Sequence, residues 1–184
     1  EMYIAYFDRA PDALGLFYWG TRLADDMSIE QIAASFFDQD ETRERYPDEG
    51  DFALLVDAGY RNLLERDPDA VGRAYWIEQL ELGNVTRGQF MLDLISGTRG
   101  EGGSAADVRT VEDKADIGLY YAAIQGLNDV DDAIAAMQAY DAADAEASRA
   151  EAAALIDGYR AAAEAGDGII VELTGVVDDP FAAV

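Results

Sequence analysis

Two short stretches of the sequence combine arginine, aspartate and aromatic side chains at the same spacing. Arg9 and Asp12 precede the pair Tyr18-Trp19, and the same residue types return 57 positions later. Aromatic rings can stack on the apolar face of a sugar, while charged groups hydrogen-bond its hydroxyls. The predicted glycan-binding residues are Arg9, Asp12, Tyr18, Trp19, Arg66, Asp69, Tyr75 and Trp76.

The same spacing also has a structural interpretation. Pro11 and Pro68 disfavour helix in the residue before them, so a helix is expected to end at each motif. Asp12 and Asp69 then suit the N-cap of the next helix. The arginine before each proline could pair with the aspartate three residues later. We therefore expect each motif to be first a corner between two helices, with most of its rings buried.

The amino-acid composition excludes several kinds of catalytic and metal-binding site. The chain contains no Cys and no His, which removes thiol and imidazole catalysis and most zinc, copper and haem sites. A polysaccharide hydrolase acting through acidic residues stays open, although no signal singles out a pair of carboxylates.

The stretch NDVDD is a candidate for a metal site, through Asp129, Asp131 and Asp132. An EF-hand loop needs a central glycine and a glutamate at position twelve, and both are missing here. A turn with an N-cap is the favoured interpretation. No cofactor is predicted, and calcium stays open.

The net charge of the chain limits which molecules it can bind. The chain carries 38 acidic and 13 basic residues, a formal net charge of −25. Such a surface repels nucleic acid and anionic lipid. No apolar run approaches the roughly 18 residues that suggest a membrane-spanning helix. We predict no nucleic-acid partner and no membrane insertion.

Recurrence of the motif at a fixed offset indicates duplicated supersecondary units. We predict two tandem three-helix repeats packed together, over residues 1–48 and 49–101. By the offset, the first helix of the first repeat should begin before Glu1, so that repeat is expected to be truncated and the chain to be part of a longer protein.

Capping signals set the helix starts within each unit. Asp51 is a plausible N-cap for the first helix of the second repeat. Thr86 with Gln89 forms a capping-box signature for its third helix, and Ser28 with Gln31 forms the corresponding one in the first repeat.

The remaining sequence differs in character. Residues 102–112 are predicted as a flexible linker, because the stretch around them is rich in glycine. Residues 113–166 are Ala-rich and predicted as a helical hairpin, which offers a face for self-association, although ordinary packing is favoured. Residues 167–184 are predicted to begin a downstream β segment with one short strand. Its strand-forming residues are Ile169, Ile170, Val171 and Leu173. The predicted fold class is all-α with this terminal strand.

The pattern Y-x5-R-x-P-D-x-x-G-x-x-Y-W resembles the bacterial repeat family called domain of unknown function 4214, over about Tyr3–Tyr46 and Asp51–Glu101. The sequence around DKADIGLYYAAIQGLND resembles the segment that commonly follows such repeats, and GIIVELTGVVDD resembles the lead-in to RTX repeats. The resemblance implies a large secreted or surface protein, exported by type I secretion or anchored like an S-layer protein. No RTX nonapeptide is present, and the family supplies no catalytic residues to transfer.

From the residues and the resemblance together we expect a non-enzymatic helical module of a secreted or cell-surface bacterial protein. Its expected partner is envelope glycan, polysaccharide or another surface protein. Its expected location is extracellular or on the cell surface, reached without an N-terminal signal peptide. The alternatives are a structural spacer or self-assembly module without a small ligand, and the acidic-residue polysaccharide hydrolase.

Overall fold

The computed structural model describes residues 1–100, 103–166, 168–172 and 178–182, which form helices and connecting segments without a strand. A π-helical turn, Tyr120–Ile124, continues the helix that ends at Leu119, and a 3-10 turn, Ala142–Asp144, precedes the helix that begins at Ala145. The prediction that the fold class is all-α is confirmed. The helices are α1 (Met2–Phe7), α2 (Ala13–Ala24), α3 (Ile29–Phe36), α4 (Asp40–Arg45), α5 (Phe52–Leu64), α6 (Ala70–Glu81), α7 (Arg87–Thr98), α8 (Ala105–Leu119), α9 (Val130–Gln138) and α10 (Ala145–Ala165).

Side-chain caps fix where several helices begin. The carboxylates of Asp12, Asp51 and Asp69 each accept a backbone N–H from the first turn, at 2.7, 2.9 and 2.9 Å. Ser28 and Gln31 form a full capping box. These contacts satisfy N–H groups that have no partner inside their own helix. The predicted caps at these positions are confirmed.

The start of α7 differs from its prediction in one contact. Thr86 accepts the backbone N–H of Gln89 at 3.1 Å, as expected. The Gln89 side chain, however, points along the helix and donates to Asp93 Oδ1 at 2.6 Å. Thr86 is therefore a one-sided cap, and Gln89 orients a carboxylate one turn further on.

The core lies where α1 packs on α5 and α3 packs on α7. Tyr6, Phe7 and Phe36 are buried there, and their rings pack with centroids 5.1–5.9 Å apart. The Tyr6 hydroxyl donates to the carbonyl of Ala33 at 2.9 Å. Large aromatic rings in mutual contact, with the polar tip satisfied, tie α1 firmly to α3.

Gly88 lets α7 approach α3 closely. A Cβ atom at this position would lie 3.2 Å from the backbone nitrogen of Ala34 and 3.3 Å from the carbonyl carbon of Ala33. We expect Gly88→Ala to lower the free energy of unfolding by about 1–2 kcal/mol, since a backbone contact cannot yield as a side chain does. Chemical denaturation measures the change.

Gly97, on the same helix, provides the matched control. A Cβ atom there meets nothing within 4 Å, so Gly97→Ala should be neutral or stabilise the helix by up to ~1 kcal/mol. Equal effects at the two glycines would contradict close packing of α3 on α7.

A buried lysine joins α8 to α1 and α5. Lys114 is 0% exposed, and its Nζ donates to Asp8 Oδ1 at 2.9 Å and to the carbonyl of Asn62 at 2.6 Å. It also donates to the carboxylate of Glu65. Asp8 and Glu65 both occupy the left-handed position that ends a helix, with φ of 47° and 55°. One ammonium group therefore holds the ends of two helices together.

The prediction of a linker over residues 102–112 is wrong from Ala105 onward, because α8 begins there. Ser104 caps this helix by accepting the backbone N–H of Ala106 at 3.2 Å. The predicted hairpin over 113–166 consists of the rest of α8, its π-helical turn, α9 and α10, so this region holds three helices instead of two.

The predicted terminal strand is not confirmed. Residues 168–172 are not in a strand, although the backbone N–H of Val171 donates to the carbonyl of Gly126 at 2.9 Å. Asn128 Nδ2 also donates to the carbonyl of Ile169, at 3.0 Å. Leu173 lies outside the described residues. None of the helices in the described ranges combines the length and apolarity needed to span a bilayer.

Candidate functional site

The first corner of the fold centres on Arg9. Its Nε and Nη2 atoms donate to both carboxylate oxygens of Glu41, at 2.9 and 2.8 Å. Nη1 donates to the carbonyl of Ala10 at 2.9 Å, and the guanidinium lies 4.8 Å from the centroid of the Tyr3 ring. Burial lowers the pKa of Arg9, but the hydrogen bond to Glu41 and the negative charges around the guanidinium together outweigh burial, and the net pKa is raised. Arg9 therefore connects the end of α1 to α4 through a charged contact of fixed geometry.

The second corner repeats these contacts around Arg66. Nε and Nη2 donate to the two carboxylate oxygens of Asp107, at 2.9 and 2.7 Å, and Nη1 donates to the carbonyl of Asp67 at 3.3 Å. The guanidinium lies 5.3 Å from the centroid of the Tyr60 ring. The hydrogen bond to Asp107 raises the pKa of Arg66, so the guanidinium stays charged.

A tryptophan packs beside each arginine corner. Trp19 lies 5.1 Å from the ring of Phe36, and Trp76 lies 5.2 Å from the ring of Phe90, centroid to centroid. Trp76 Nε1 donates to the Tyr60 hydroxyl at 3.3 Å. Both indoles are half-buried, so each presents part of its surface to solvent.

Each corner encloses a cavity of related composition. The first corner pocket has a volume of about 240 Å³, and the second corner pocket about 340 Å³. The first corner pocket is lined by Tyr3, Phe7, Arg9, Trp19, Phe36, Gln39, Asp40 and Glu41. The second corner pocket is lined by Tyr60, Leu64, Arg66, Trp76, Asp93, Leu94, Gly97, Thr98, Gly103, Ser104 and Asp107. Both combine an aromatic wall with an arginine–carboxylate pair.

Four of the eight predicted site residues line these pockets, namely Arg9, Trp19, Arg66 and Trp76. The other four do not.

Asp12 and Asp69 serve as helix caps. Their pairing with the arginines differs between the corners, since Arg9 Nη1 lies 3.5 Å from Asp12 Oδ2 while Arg66 pairs instead with Asp107.

Tyr18 and Tyr75 are exposed and lie edge-on to the neighbouring indoles, with centroids 4.9 and 5.1 Å apart. They stand outside the pocket linings, although the expectation was that most rings of the motif would be buried.

The sequence prediction missed the pocket carboxylates and the tyrosines. Tyr3 and Tyr60 recur at the same offset as the rest of the motif, which is the signal that could have found them. Glu41 and Asp107 follow their arginines by 32 and 41 positions, so no common offset relates them.

A third cavity, of about 370 Å³, lies between α1, α3 and α7. Its lining comes from both predicted repeats, with residues 1, 2, 29 and 30 on one side and residues of α7 on the other. None of the eight predicted site residues lines it.

The predicted metal residues have other roles. Asp129 caps α9 by accepting the backbone N–H groups of Asp131 and Asp132, at 2.9 and 3.1 Å. Burial, followed by the charges of Asp129 and Asp131, raises the pKa of Asp132. In the part of the chain that the structure describes, no three Asp or Glu side chains converge as a metal site would require.

The fold and these contacts define an all-α protein whose helices meet at two arginine-centred corners. Residues 33–98 match the model of the family described as Domain of unknown function (DUF4214). This match supports the predicted family for the segment that carries the second corner. No curated protein and no solved structure matches the chain.

Proposed function

We propose that this chain is a non-enzymatic, glycan-binding helical module of a bacterial protein that is secreted or displayed on the cell surface. The observation that carries the proposal is the second corner pocket, where Trp76 and Tyr60 stand beside the ion pair of Arg66 and Asp107 around about 340 Å³. An apolar ring face flanked by fixed polar groups matches the amphipathic surface of a sugar. The secreted or surface location, with its RTX association and S-layer-like anchoring, rests on the family resemblance.

We further propose that residues 1–48 and 49–101 are two copies of one unit. Support comes from the shared contacts at Arg9 and Arg66, each bidentate to a carboxylate and placed over a tyrosine ring. Support also comes from the packing, since α1 contacts α5 and α3 contacts α7. In each pair the two helices occupy corresponding positions in the proposed copies, as expected for a pseudo-twofold arrangement.

The second corner pocket is the better binding site of the two. The Arg66 side chain is 43% exposed, whereas that of Arg9 is 5% exposed. The first corner pocket is also smaller and includes the rings of Phe7 and Phe36. We therefore assign ligand binding to the second corner and a mainly structural role to the first.

The test is binding of the chain to purified envelope glycans, with and without calcium. We expect saturable binding that falls about 100-fold in Trp76→Leu, because indole stacking contributes strongly while leucine preserves packing against Phe90. Trp19→Leu is the matched control and should retain binding. Circular dichroism and thermal unfolding establish that both variants are folded.

An assembly module is the second candidate. The observation that favours it is the apolar face of α2, where Leu14 and Phe17 are 52% and 60% exposed. Such a face suits association with a second copy. Absence of binding to every glycan, together with a mass that rises with concentration, would replace the glycan proposal with this one. Saturable glycan binding by a monomer would exclude it.

A further inference from the structure

We infer that the second corner pocket selects sugars that carry an ammonium group over sugars that carry a carboxylate or phosphate, and that Asp93 makes the selection. The inference rests on the proposed function and names the ligand class for the same site. Its evidence is the distribution of charge and of free hydrogen-bonding atoms around the pocket.

The ion pair in the pocket is internally balanced. Arg66 uses Nε and Nη2 on both oxygens of Asp107 and Nη1 on a backbone carbonyl. A planar guanidinium bound in this bidentate way is held in one orientation. The pair therefore adds no net charge to the pocket, and most of its donors are committed within the protein.

Asp93 lies between the second corner pocket and the third cavity and lines both. It leaves the second corner pocket with one uncompensated negative charge. Its Oδ1 atom accepts from Gln89 Nε2 at 2.6 Å, and an amide donor carries no charge. Among the described residues Asp93 forms no ion pair. Its second oxygen, Oδ2, accepts no hydrogen bond from that part of the chain, so it is free to receive one from a ligand.

Each hydroxyl group of the pocket makes one contact within the protein, and the Tyr60 hydroxyl does so by accepting from Trp76 Nε1 at 3.3 Å. Thr98 Oγ1 donates to the carbonyl of Ile95 at 2.8 Å, and Ser104 Oγ accepts from the backbone N–H of Ala106 at 3.2 Å. The O–H groups of Ser104 and Tyr60 donate no hydrogen bond to the described residues and stay available to a ligand, but they carry no charge. Asp93 is therefore the charged acceptor that the pocket offers to a cationic substituent of the ligand.

Two further features favour a cation at this position. The pocket wall contains the ring of Trp76, whose face attracts positive charge. The chain as a whole carries −25, and its field disfavours the approach of an acidic sugar. A hexosamine with a free amine fits both features, since its apolar ring face can stack on the aromatic wall and its ammonium group is attracted by the negative charge.

The experiment compares three trisaccharides, built from glucosamine, N-acetylglucosamine or galacturonic acid, in physiological salt and below the pKa of the sugar amine. We expect the glucosamine trisaccharide to bind about tenfold more tightly than the acetylated one, as one charge-assisted hydrogen bond allows. The galacturonate trisaccharide should bind most weakly. Calorimetry measures each affinity.

Asp93→Asn should remove the preference for the free amine and leave the affinity for the acetylated trisaccharide unchanged. Glu151→Gln is the matched control, because it deletes one negative charge on an exposed part of α10, outside the pocket lining. If both variants weaken glucosamine binding equally, the effect is general charge attraction and the assignment to Asp93 is overturned.

The remaining outcomes distinguish a wrong ligand class from a wrong function. Equal affinity for all three sugars, lost in Trp76→Leu, would overturn the ligand class while supporting the glycan function. No binding to these sugars or to envelope glycans would overturn the function itself. Trilysine binding as tightly as the glucosamine trisaccharide, with the same dependence on Asp93, would assign the pocket to a basic peptide and overturn the inference.

Discussion

Replacing Lys114 by methionine is expected to lower the free energy of unfolding by about 3 kcal/mol. The ammonium group is fully buried and donates to Asp8, to Glu65 and to the carbonyl of Asn62. Methionine has similar length but no donor, so two carboxylates and one carbonyl would face each other without a counter-charge. Solvent reaches both carboxylates partly, which limits the loss to the lower end of the range for a broken buried pair.

Chemical denaturation measures this change, and Arg22→Met provides the control. Arg22 is an exposed cation on α2, and its removal should cost less than ~0.5 kcal/mol. Lys114 is also the only lysine of the chain, so an amine-reactive reagent should modify it in denaturant and leave it unmodified in the folded protein. Wild-type stability in Lys114→Met, or rapid modification of the native protein, would contradict the buried junction.

The second large effect is expected at Arg9. We expect Arg9→Gln to destabilise the protein by about 2–3 kcal/mol. The substitution removes a nearly buried guanidinium, so the carboxylate of Glu41 loses its counter-charge and the Tyr3 ring loses its cation–π contact. Arg66→Gln should cost about 1 kcal/mol or less, since Arg66 is more exposed and its pair with Asp107 is better screened.

The comparison uses the same substitution at two corners with the same contacts. Unfolding curves in denaturant give both changes, and their ratio is the informative quantity. A larger loss at Arg66 than at Arg9 would contradict the assignment of a structural role to the first corner and a binding role to the second.

Sequence alone was sufficient for the local structure of the corners. Proline, the capping aspartates and the recurring arginine act within a few residues, so their pattern predicts where helices end and begin. The carboxylates that complete each pocket come from α4 and α8, which follow their arginines at unequal distances. Only the tertiary packing brings Glu41 to Arg9 and Asp107 to Arg66.

The prediction for the connecting segment was wrong from Ala105 onward, and the prediction of a terminal strand is not confirmed, for a related reason. The glycine-rich composition before α8 indicated a flexible linker, but Ser104 caps a helix whose first turn contributes Asp107 to the second corner. Ile169 and Val171 have strand-forming side chains, yet no neighbouring strand pairs with them among the described residues. Strand propensity requires a partner to become a sheet.

The most direct test of the glycan site uses the two tryptophans of the chain, Trp19 and Trp76. Each gives one indole N–H resonance, and titration with the glucosamine trisaccharide reports which indole lies at the ligand. Binding in the second corner pocket predicts a saturable shift of the Trp76 resonance while that of Trp19 stays in place. Saturable binding that shifts only Trp19, or that leaves both resonances unchanged, would contradict the assignment of the site.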